Sequence, residues 1–133
     1  MDYQWRPEIT LPRVEAIIKH AGLKGGERIL DIGCATGYLA CELIKKDCQV
    51  VGIEKDMQSA RLAGRYLKRV IAGDVEDPKT LAKLNPTKFD TIILADVLEH
   101  LRDPLMTLKM IKRYITPDGT ALISVPNIAF LTV

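Results

Sequence analysis

Short apolar stretches alternate with amphipathic stretches along most of the chain. The apolar stretches are rich in Val, Ile and Leu, which is typical of strands covered on both faces. They span residues 28–32, 49–53, 69–72, 89–95 and 120–125. Because strands that alternate with helices build parallel βαβ units, the pattern predicts an α/β protein with a doubly wound sheet and helices on both faces.

Helix starts are marked by capping aspartates. Asp77 and Asp103 each precede a proline, which favours a helix that begins at the proline, and Asp56 is predicted to cap a third helix. Apolar residues at helical spacing predict the buried faces. These faces comprise Leu11, Val14, Ile17, Ile18 and Ala21; Met57, Ala60, Ala63 and Leu67; and Leu105, Leu108, Ile111 and Ile115.

Basic residues cluster on the other side of the helix that follows Asp56. They are Arg61, Arg65, Lys68 and Arg69. A solvated outer face explains this cluster better than a binding patch, because apolar residues supply the opposite side of the same helix.

The first apolar stretch runs into a turn of small residues, 33–37, followed by a stretch compatible with a helix to Lys46. Small residues allow a backbone to approach a ligand closely. A phosphate-binding loop would end in Gly-Lys-Ser/Thr, but Tyr38 and Leu39 follow Gly37, which excludes that loop. A dinucleotide fingerprint needs a third glycine where the chain has Tyr38, so a nicotinamide-binding domain is disfavoured.

With Asp31, the turn has the form D-x-G-x-G-x-G, in which Ala35 replaces the middle glycine. This pattern resembles motif I of class I S-adenosylmethionine-dependent methyltransferases. The resemblance continues through 73–75, 89–101 and 117–127, and so covers almost the whole chain. It implies a Rossmann-like parallel sheet of order 3-2-1-4-5 and S-adenosylmethionine as cofactor, with S-adenosylhomocysteine as product.

Polar residues at three successive strand ends are candidates for holding that cofactor. S-adenosylmethionine carries an ammonium and a sulfonium and no phosphate, so the Asp31 carboxylate suits its charge. Glu54 is predicted to accept hydrogen bonds from a ribose diol. The resemblance implies that Asp74 accepts from the adenine amine and that the Val75 amide donates to the ring. The full predicted set is Asp31, Gly33, Ala35, Gly37, Glu54, Asp74, Val75 and Asp96.

The resemblance implies methyl transfer by direct in-line displacement to a small molecule, through oxygen or nitrogen. The main task is then alignment, and a base is optional. His100 is the leading candidate base because histidine exchanges protons near neutral pH, with Glu99 and Asp96 nearby. Val97 and Leu98 follow Asp96, where methyltransferases of amides and exocyclic amines have a Pro-Pro-Tyr/Phe pattern. Nucleic-acid bases and protein glutamines are therefore disfavoured as acceptors.

Composition limits the partners. The 133 residues include 19 basic and 17 acidic side chains, a net charge of +2, which gives no strong field for nucleic acid or anionic membranes. No apolar run approaches membrane-spanning length and the N-terminus is polar, so we expect a cytoplasmic protein. Cys34, Cys41 and Cys48 lack paired spacing and are expected to be free thiols, and with His20 and His100 they suggest no metal site.

Members of the resembled family continue past the fifth strand, whereas this sequence ends at Val133. We expect one S-adenosylmethionine-binding domain, 1–133, that is short at its C-terminus. The fifth strand would then be a sheet edge followed by the apolar tail 128–133. This predicts either a homodimer through edge and tail or a tail folded back on its own sheet. A binding module without catalytic activity remains an alternative to an enzyme.

Overall fold

The computed structural model describes residues 7–125. Five helices and five strands alternate along this part of the chain. Their bounds are α1 Pro7–Ala21, β1 Arg28–Ile32, α2 Tyr38–Ile44, β2 Gln49–Glu54, α3 Met57–Ala63, β3 Arg69–Ala72, α4 Pro78–Ala82, β4 Phe89–Ala95, α5 Pro104–Ile111 and β5 Ile115–Ser124. Two 3₁₀ turns, Leu98–His100 and Lys112–Tyr114, flank α5.

The strands form one parallel sheet of order β3-β2-β1-β4-β5, which confirms the predicted order. β1 lies at the centre, where Leu30 is in register with Val51 of β2 on one side and Ile92 of β4 on the other. The direction of winding reverses between β1 and β4. A crevice forms at such a switch point, at the carboxyl ends of the strands.

Alternate residues of the central strand build two hydrophobic clusters. Ile29 packs into the cluster that contains Leu39 and Leu43 of α2, whereas Leu30 packs into the one that contains Leu81 and Ile111 from α4 and α5. Ile29 and Leu30 are both fully buried. Burial of such a side chain contributes about 1.5–3 kcal/mol, so the sheet is stabilised from both faces.

Side-chain caps begin three of the helices at the predicted residues. Asp56 accepts a hydrogen bond from the Ser59 amide at 2.9 Å, Asp77 from Lys79 at 2.9 Å and Asp103 from Met106 at 3.1 Å. Each cap satisfies an amide that lacks a partner inside its helix, which is worth about 1 kcal/mol. The capping predictions are confirmed.

The predicted apolar stripe of the last helix is wrong at both ends. Leu105, in the first turn of α5, is 62% exposed, and the core-facing residues are Thr107 and Ile111.

Ile115, predicted to end the buried face of the last helix, belongs instead to β5, where it pairs with Phe89. β5 therefore begins before the predicted residue 120. Its register with β4 shifts between the Phe89 and Thr91 pairings, alongside the segment that contains Pro117 and Gly119.

Three other local predictions need correction. Met57 is 62% exposed rather than buried, although Ala60, Ala63 and Leu67 are buried as predicted. α3 ends at Ala63, so Arg65 and Lys68 lie beyond the helix and Arg69 opens β3. α2 ends at Ile44, short of Lys46. The Leu11 side chain and the tail 128–133 fall outside the described part of the structure.

Candidate active site

The carboxyl ends of β1, β2, β3 and β4 open onto one cavity of about 610 Å³. This volume lies within the range of roughly 300–1,000 Å³ that small-molecule sites occupy. The cavity brings together seven of the predicted site residues. They are Gly33, Ala35, Glu54, Asp74, Val75, Asp96 and His100.

The turn after β1 is built on positive backbone angles. Gly33 has φ 73°, and a Cβ added there would lie 2.7 Å from Cγ2 of Val97, so a side chain at this position would collide across the cavity floor. The amides of Gly33 and Cys34 both donate to the Ile53 carbonyl of β2, at 2.8 and 3.1 Å. Ala35 has φ 51°, a conformation that costs a non-glycine residue about 1–2 kcal/mol. The turn is therefore fixed in a strained shape at the cavity.

Glu54, the last residue of β2, is held by two backbone amides. Its Oε1 accepts from Ala35 at 2.9 Å, and its Oε2 accepts from Asp56 at 2.7 Å. An ionised carboxylate has about four acceptor sites, so each oxygen retains capacity for another donor. The carboxylate thus connects the turn after β1 with the N-cap of α3 and still faces the cavity.

Asp74 occupies the corresponding place after β3. Its Oδ1 accepts from the Glu76 amide at 2.9 Å, and its Oδ2 lies 3.6 Å from the ammonium of Lys55. The two side chains are 41% and 77% exposed, so this ion pair is worth little in stability. Val75, which follows, is buried but contributes to the lining.

Asp31 and Gly37 do not line the cavity. Asp31 is only 2% exposed, and its Oδ2 has no hydrogen-bond partner among the described residues. Burial, followed by the charge of Glu54, raises the pKa of Asp31 from 3.8 to about 7. Gly37 has φ 93°, and a Cβ there would lie 3.3 Å from Cα of Ala63. Asp31 therefore influences the cavity through its charge, and Gly37 allows α2 and α3 to approach each other.

Asp96 ends the fourth-strand wall in a left-handed conformation, with φ 54°. Aspartate tolerates this region better than most residues. Its amide donates to the Ser124 carbonyl at 3.1 Å, and the Ser124 hydroxyl donates to its Oδ1 at 3.5 Å. These contacts join the ends of β4 and β5 beside the cavity.

His100 and Glu99 lie in the 3₁₀ turn after β4. His100 lines the cavity, and its side chain is 61% exposed; Glu99 is 29% exposed and does not contribute to the lining. The distance from His100 Nε2 to Glu99 Oε1 is 3.8 Å, which is too long for a hydrogen bond.

The sequence predictions missed Glu76, which also lines the cavity. Its carboxylate accepts from the amides of Arg102 and Asp103, 26 and 27 residues further along the chain. No local pattern signals a contact over that separation. Among the described residues of the lining, five carry carboxylates and one is a lysine, Lys55, so the cavity favours positively charged ligands.

The three cysteines are free thiols. Burial, with smaller contributions from Asp31 and Glu54, raises the pKa of the Cys34 thiol, which makes it a poor nucleophile. Within residues 7–125, no three or more His, Cys, Asp or Glu side chains are grouped so that they could hold a metal ion. In the same part of the chain, no helix has the length and apolar character to cross a membrane.

Comparisons with known proteins agree on one family. The model of a family described as a methyltransferase domain matches residues 5–131 of the chain. A ubiquinone biosynthesis O-methyltransferase of Paracidovorax citrulli (strain AAC00-1) is 30% identical over 133 residues, and the alignment covers 96% of this chain and 56% of that protein. The chain thus spans about half the length of the curated relatives it matches.

Solved structures show the same fold. A TehB-like SAM-dependent methyltransferase from Corynebacterium glutamicum has a TM-score of 0.67 and 30% identity, covering 83% of this chain and 60% of that one. Coclaurine N-methyltransferase, bound to N-methylheliamine and SAH, has a TM-score of 0.75 at 20% identity, covering 92% of this chain and 38% of that one. Together with the family match over nearly the whole sequence, these findings establish that the chain belongs to the class I S-adenosylmethionine-dependent methyltransferases.

Proposed function

We propose that residues 1–133 form a single domain that binds S-adenosylmethionine in the cavity and directs its methyl group to a small-molecule acceptor. The convergence of Glu54, Asp74 and the turn at Gly33 on one cavity carries this proposal. When bound, the cofactor supplies an electrophilic methyl group on a sulfonium. The protein's own contribution is alignment, which is worth about 7–11 kcal/mol of the barrier in favourable cases.

The residues present fit this cofactor. Glu54 would accept from the ribose hydroxyls with the capacity left on its two oxygens. Asp74 would accept from the adenine amine, with the Val75 amide beside it. The absence of a side chain at Gly33 gives the cofactor access to the backbone of the turn. The charge of Asp31, below the turn, would attract the cofactor's cationic groups.

The acidic lining argues against a nicotinamide cofactor. Five carboxylates among the described lining residues would repel a pyrophosphate, and Lys55 is the single lysine or arginine there to offset them. An ammonium and a sulfonium are attracted by the same field. The proposal therefore favours S-adenosylmethionine or S-adenosylhomocysteine over NAD, both for an enzyme and for a binding module.

We infer that the acceptor binds on the side of Asp96 and His100, and that its reacting atom is a hydroxyl oxygen. The curated relatives, named as ubiquinone biosynthesis O-methyltransferases, support oxygen. A hydroxyl gains from a base near its proton, and His100 lines the cavity where such a base is needed. Asp96 also lines the cavity, and Glu99 Oε1 lies 3.8 Å from His100 Nε2.

Calorimetry with S-adenosylmethionine, S-adenosylhomocysteine and NAD tests the cofactor. Wild-type protein should bind the first two and not the third. A hydrogen bond to a charged group contributes about 1.5–3 kcal/mol, so Glu54→Ala should weaken binding roughly ten- to a hundred-fold. Glu42→Ala is the control, since Glu42 pairs with Lys45 on the surface at 2.9 Å, outside the cavity lining. Unchanged affinity in Glu54→Ala would remove Glu54 from the site.

Transfer of a labelled methyl group to catechol and to benzylamine tests the reaction. Methylated catechol would support an oxygen acceptor, and methylated benzylamine would replace it with nitrogen. Binding of S-adenosylhomocysteine with no transfer to either probe would favour the binding module.

We also propose a cytoplasmic location and self-association. The free thiols are typical of a reducing compartment. β5 is an edge of the described sheet, and Ile123 and Val125 are 40% and 61% exposed. An isologous contact would cover this apolar edge in both copies at once.

A further inference from the structure

Glu76 connects two loops that both contribute to the lining of the cavity. The amide of Arg102 donates to Oε1 at 3.0 Å and to Oε2 at 3.1 Å, and the amide of Asp103 donates to Oε2 at 3.0 Å. The backbone of Glu76 is itself fixed, because its amide donates to Asp74 Oδ1 at 2.9 Å. One carboxylate therefore joins the loop after β3 to the chain that enters α5.

The two amides belong to irregular backbone between the 3₁₀ turn Leu98–His100 and α5. Such amides have no partner from regular secondary structure, and a side chain or water must satisfy them. The chain directly before them carries His100 and Leu101, which line the cavity. The contacts of Glu76 thus determine how far this wall lies from the loop that contains Asp74.

We propose that Glu76 is a positioning residue that holds the His100–Leu101 wall against the β3 loop and so fixes the place of the acceptor. The inference rests on the proposed function, because that function makes this wall the acceptor side. Glu76 would act through the wall, since three contacts with backbone amides engage both of its oxygens. Asp74, which the proposed function assigns to adenine binding, accepts the backbone amide of Glu76 and so orients it. Asp74 and Glu76 would therefore link the cofactor side of the cavity to the acceptor side.

Hydrogen exchange measured by mass spectrometry tests the contact directly, with no cofactor present. Exchange reports the local opening of hydrogen-bonded amides. In Glu76→Ala, amides in residues 98–103 should exchange at least about tenfold faster, because a hydrogen bond to a charged acceptor is lost. Glu76→Gln keeps the volume and one acceptor oxygen, so its exchange should be intermediate.

Glu27→Ala is the matched control. Glu27 also accepts from a backbone amide, that of Lys24, with both oxygens at 3.0 Å. It directly precedes β1, at the end of the sheet opposite the cavity. Exchange in residues 98–103 should be unchanged in this variant. Equal exchange in wild type, Glu76→Ala and Glu76→Gln would overturn the proposal.

Binding and kinetics separate positioning from direct contact with the cofactor. The affinity of Glu76→Ala for S-adenosylhomocysteine should stay within about threefold of wild type. KM should be measured with whichever of catechol and benzylamine the wild type methylates. In Glu76→Ala this KM should rise at least about tenfold, by a larger factor than kcat falls. Loss of S-adenosylhomocysteine affinity without faster exchange would make Glu76 a cofactor ligand and overturn the proposal. Failure of the wild type to bind S-adenosylhomocysteine would refute the proposed function, and the exchange comparison would still decide whether Glu76 holds the wall.

Discussion

Replacement of Asp31 by asparagine should change the pH dependence of folding stability. Asp31 is buried beneath the turn after β1, and its pKa is raised from 3.8 to about 7 by burial and then by Glu54. The folded protein therefore retains a proton that the unfolded chain has released. Between about pH 4 and pH 7 stability must fall as pH rises, and the loss is complete above pH 7.

The size of the effect follows from the same displacement. One pH unit corresponds to about 1.4 kcal/mol, so ionised Asp31 costs the folded protein on the order of 4 kcal/mol at pH 8. Asparagine does not ionise and escapes this cost. The free energy of unfolding of Asp31→Asn, relative to that of wild type, should therefore be a few kcal/mol larger at pH 8 than at pH 4.5. Urea unfolding at the two pH values measures this difference.

Asp56→Asn provides a control of opposite sign. A hydrogen bond from the Ser59 amide lowers the pKa of Asp56, so its stabilising contribution is lost only in more acidic solution. The difference between this variant and wild type should be nearly constant from pH 5 to pH 8. If the difference for Asp31→Asn is equally constant, Asp31 is ionised at all these pH values and the reasoning from burial is wrong.

The Asp31→Asn substitution should also weaken the proposed cofactor binding at pH 8. Asparagine removes the negative charge that would attract the cofactor's ammonium and sulfonium, and calorimetry with S-adenosylmethionine measures the loss. A variant that is more stable but binds less tightly is the usual trade-off at a site that keeps a buried charge for function.

Three further predictions concern the turn, the histidine and the sheet edge. Gly33→Ala should destabilise the fold by about 1–3 kcal/mol in urea unfolding, because a Cβ would meet Val97 Cγ2 at 2.7 Å; an unchanged midpoint would contradict this. His100→Ala should leave S-adenosylhomocysteine affinity within about threefold, and, if His100 is only a base, turnover should partly recover at high pH; a loss as large as that of Glu54→Ala would place His100 on the cofactor. Light scattering should give a dimer that dissociates when residues after 127 are deleted, whereas an unaltered monomeric mass would refute self-association.

The positions of the strands and the starts of the helices could be predicted because their signals are local, whereas the order of the strands in the sheet was an expectation from the resemblance to class I methyltransferases. Apolar runs mark the strands, and Asp77 and Asp103 combine a cap with a following proline. The beginning of β5 could not be predicted in the same way. Its pairing of Ile115 with Phe89 is a long-range contact, and the spacing of apolar residues does not predict the register shift that follows.

Part of the candidate site was predictable for a related reason. Glu54 is the last residue of β2 and Asp74 follows the end of β3, and parallel strands deliver their carboxyl ends to one crevice. The burial of Asp31 and the reach of Glu76 depend on tertiary packing. Neighbours that are distant in sequence decide both, so the spacing of the motifs carries no information about them. Leu105 is exposed although it fits the helical spacing, because periodicity alone does not say which turns of a helix the rest of the protein covers.

Backbone amides hold the carboxylates of the cavity. Glu54 receives the amides of Ala35 and Asp56, and Glu76 receives those of Arg102 and Asp103. A backbone amide is neutral, so it orients a carboxylate and leaves its negative charge in place. A bound arginine would cancel that charge. The cavity therefore remains negative while its walls are fixed. A ligand with positive groups would gain most from the carboxylates that it contacts, whereas a dinucleotide would oppose the negative lining with its pyrophosphate. Glu54 would thus select the cofactor, and Glu76 would position the wall.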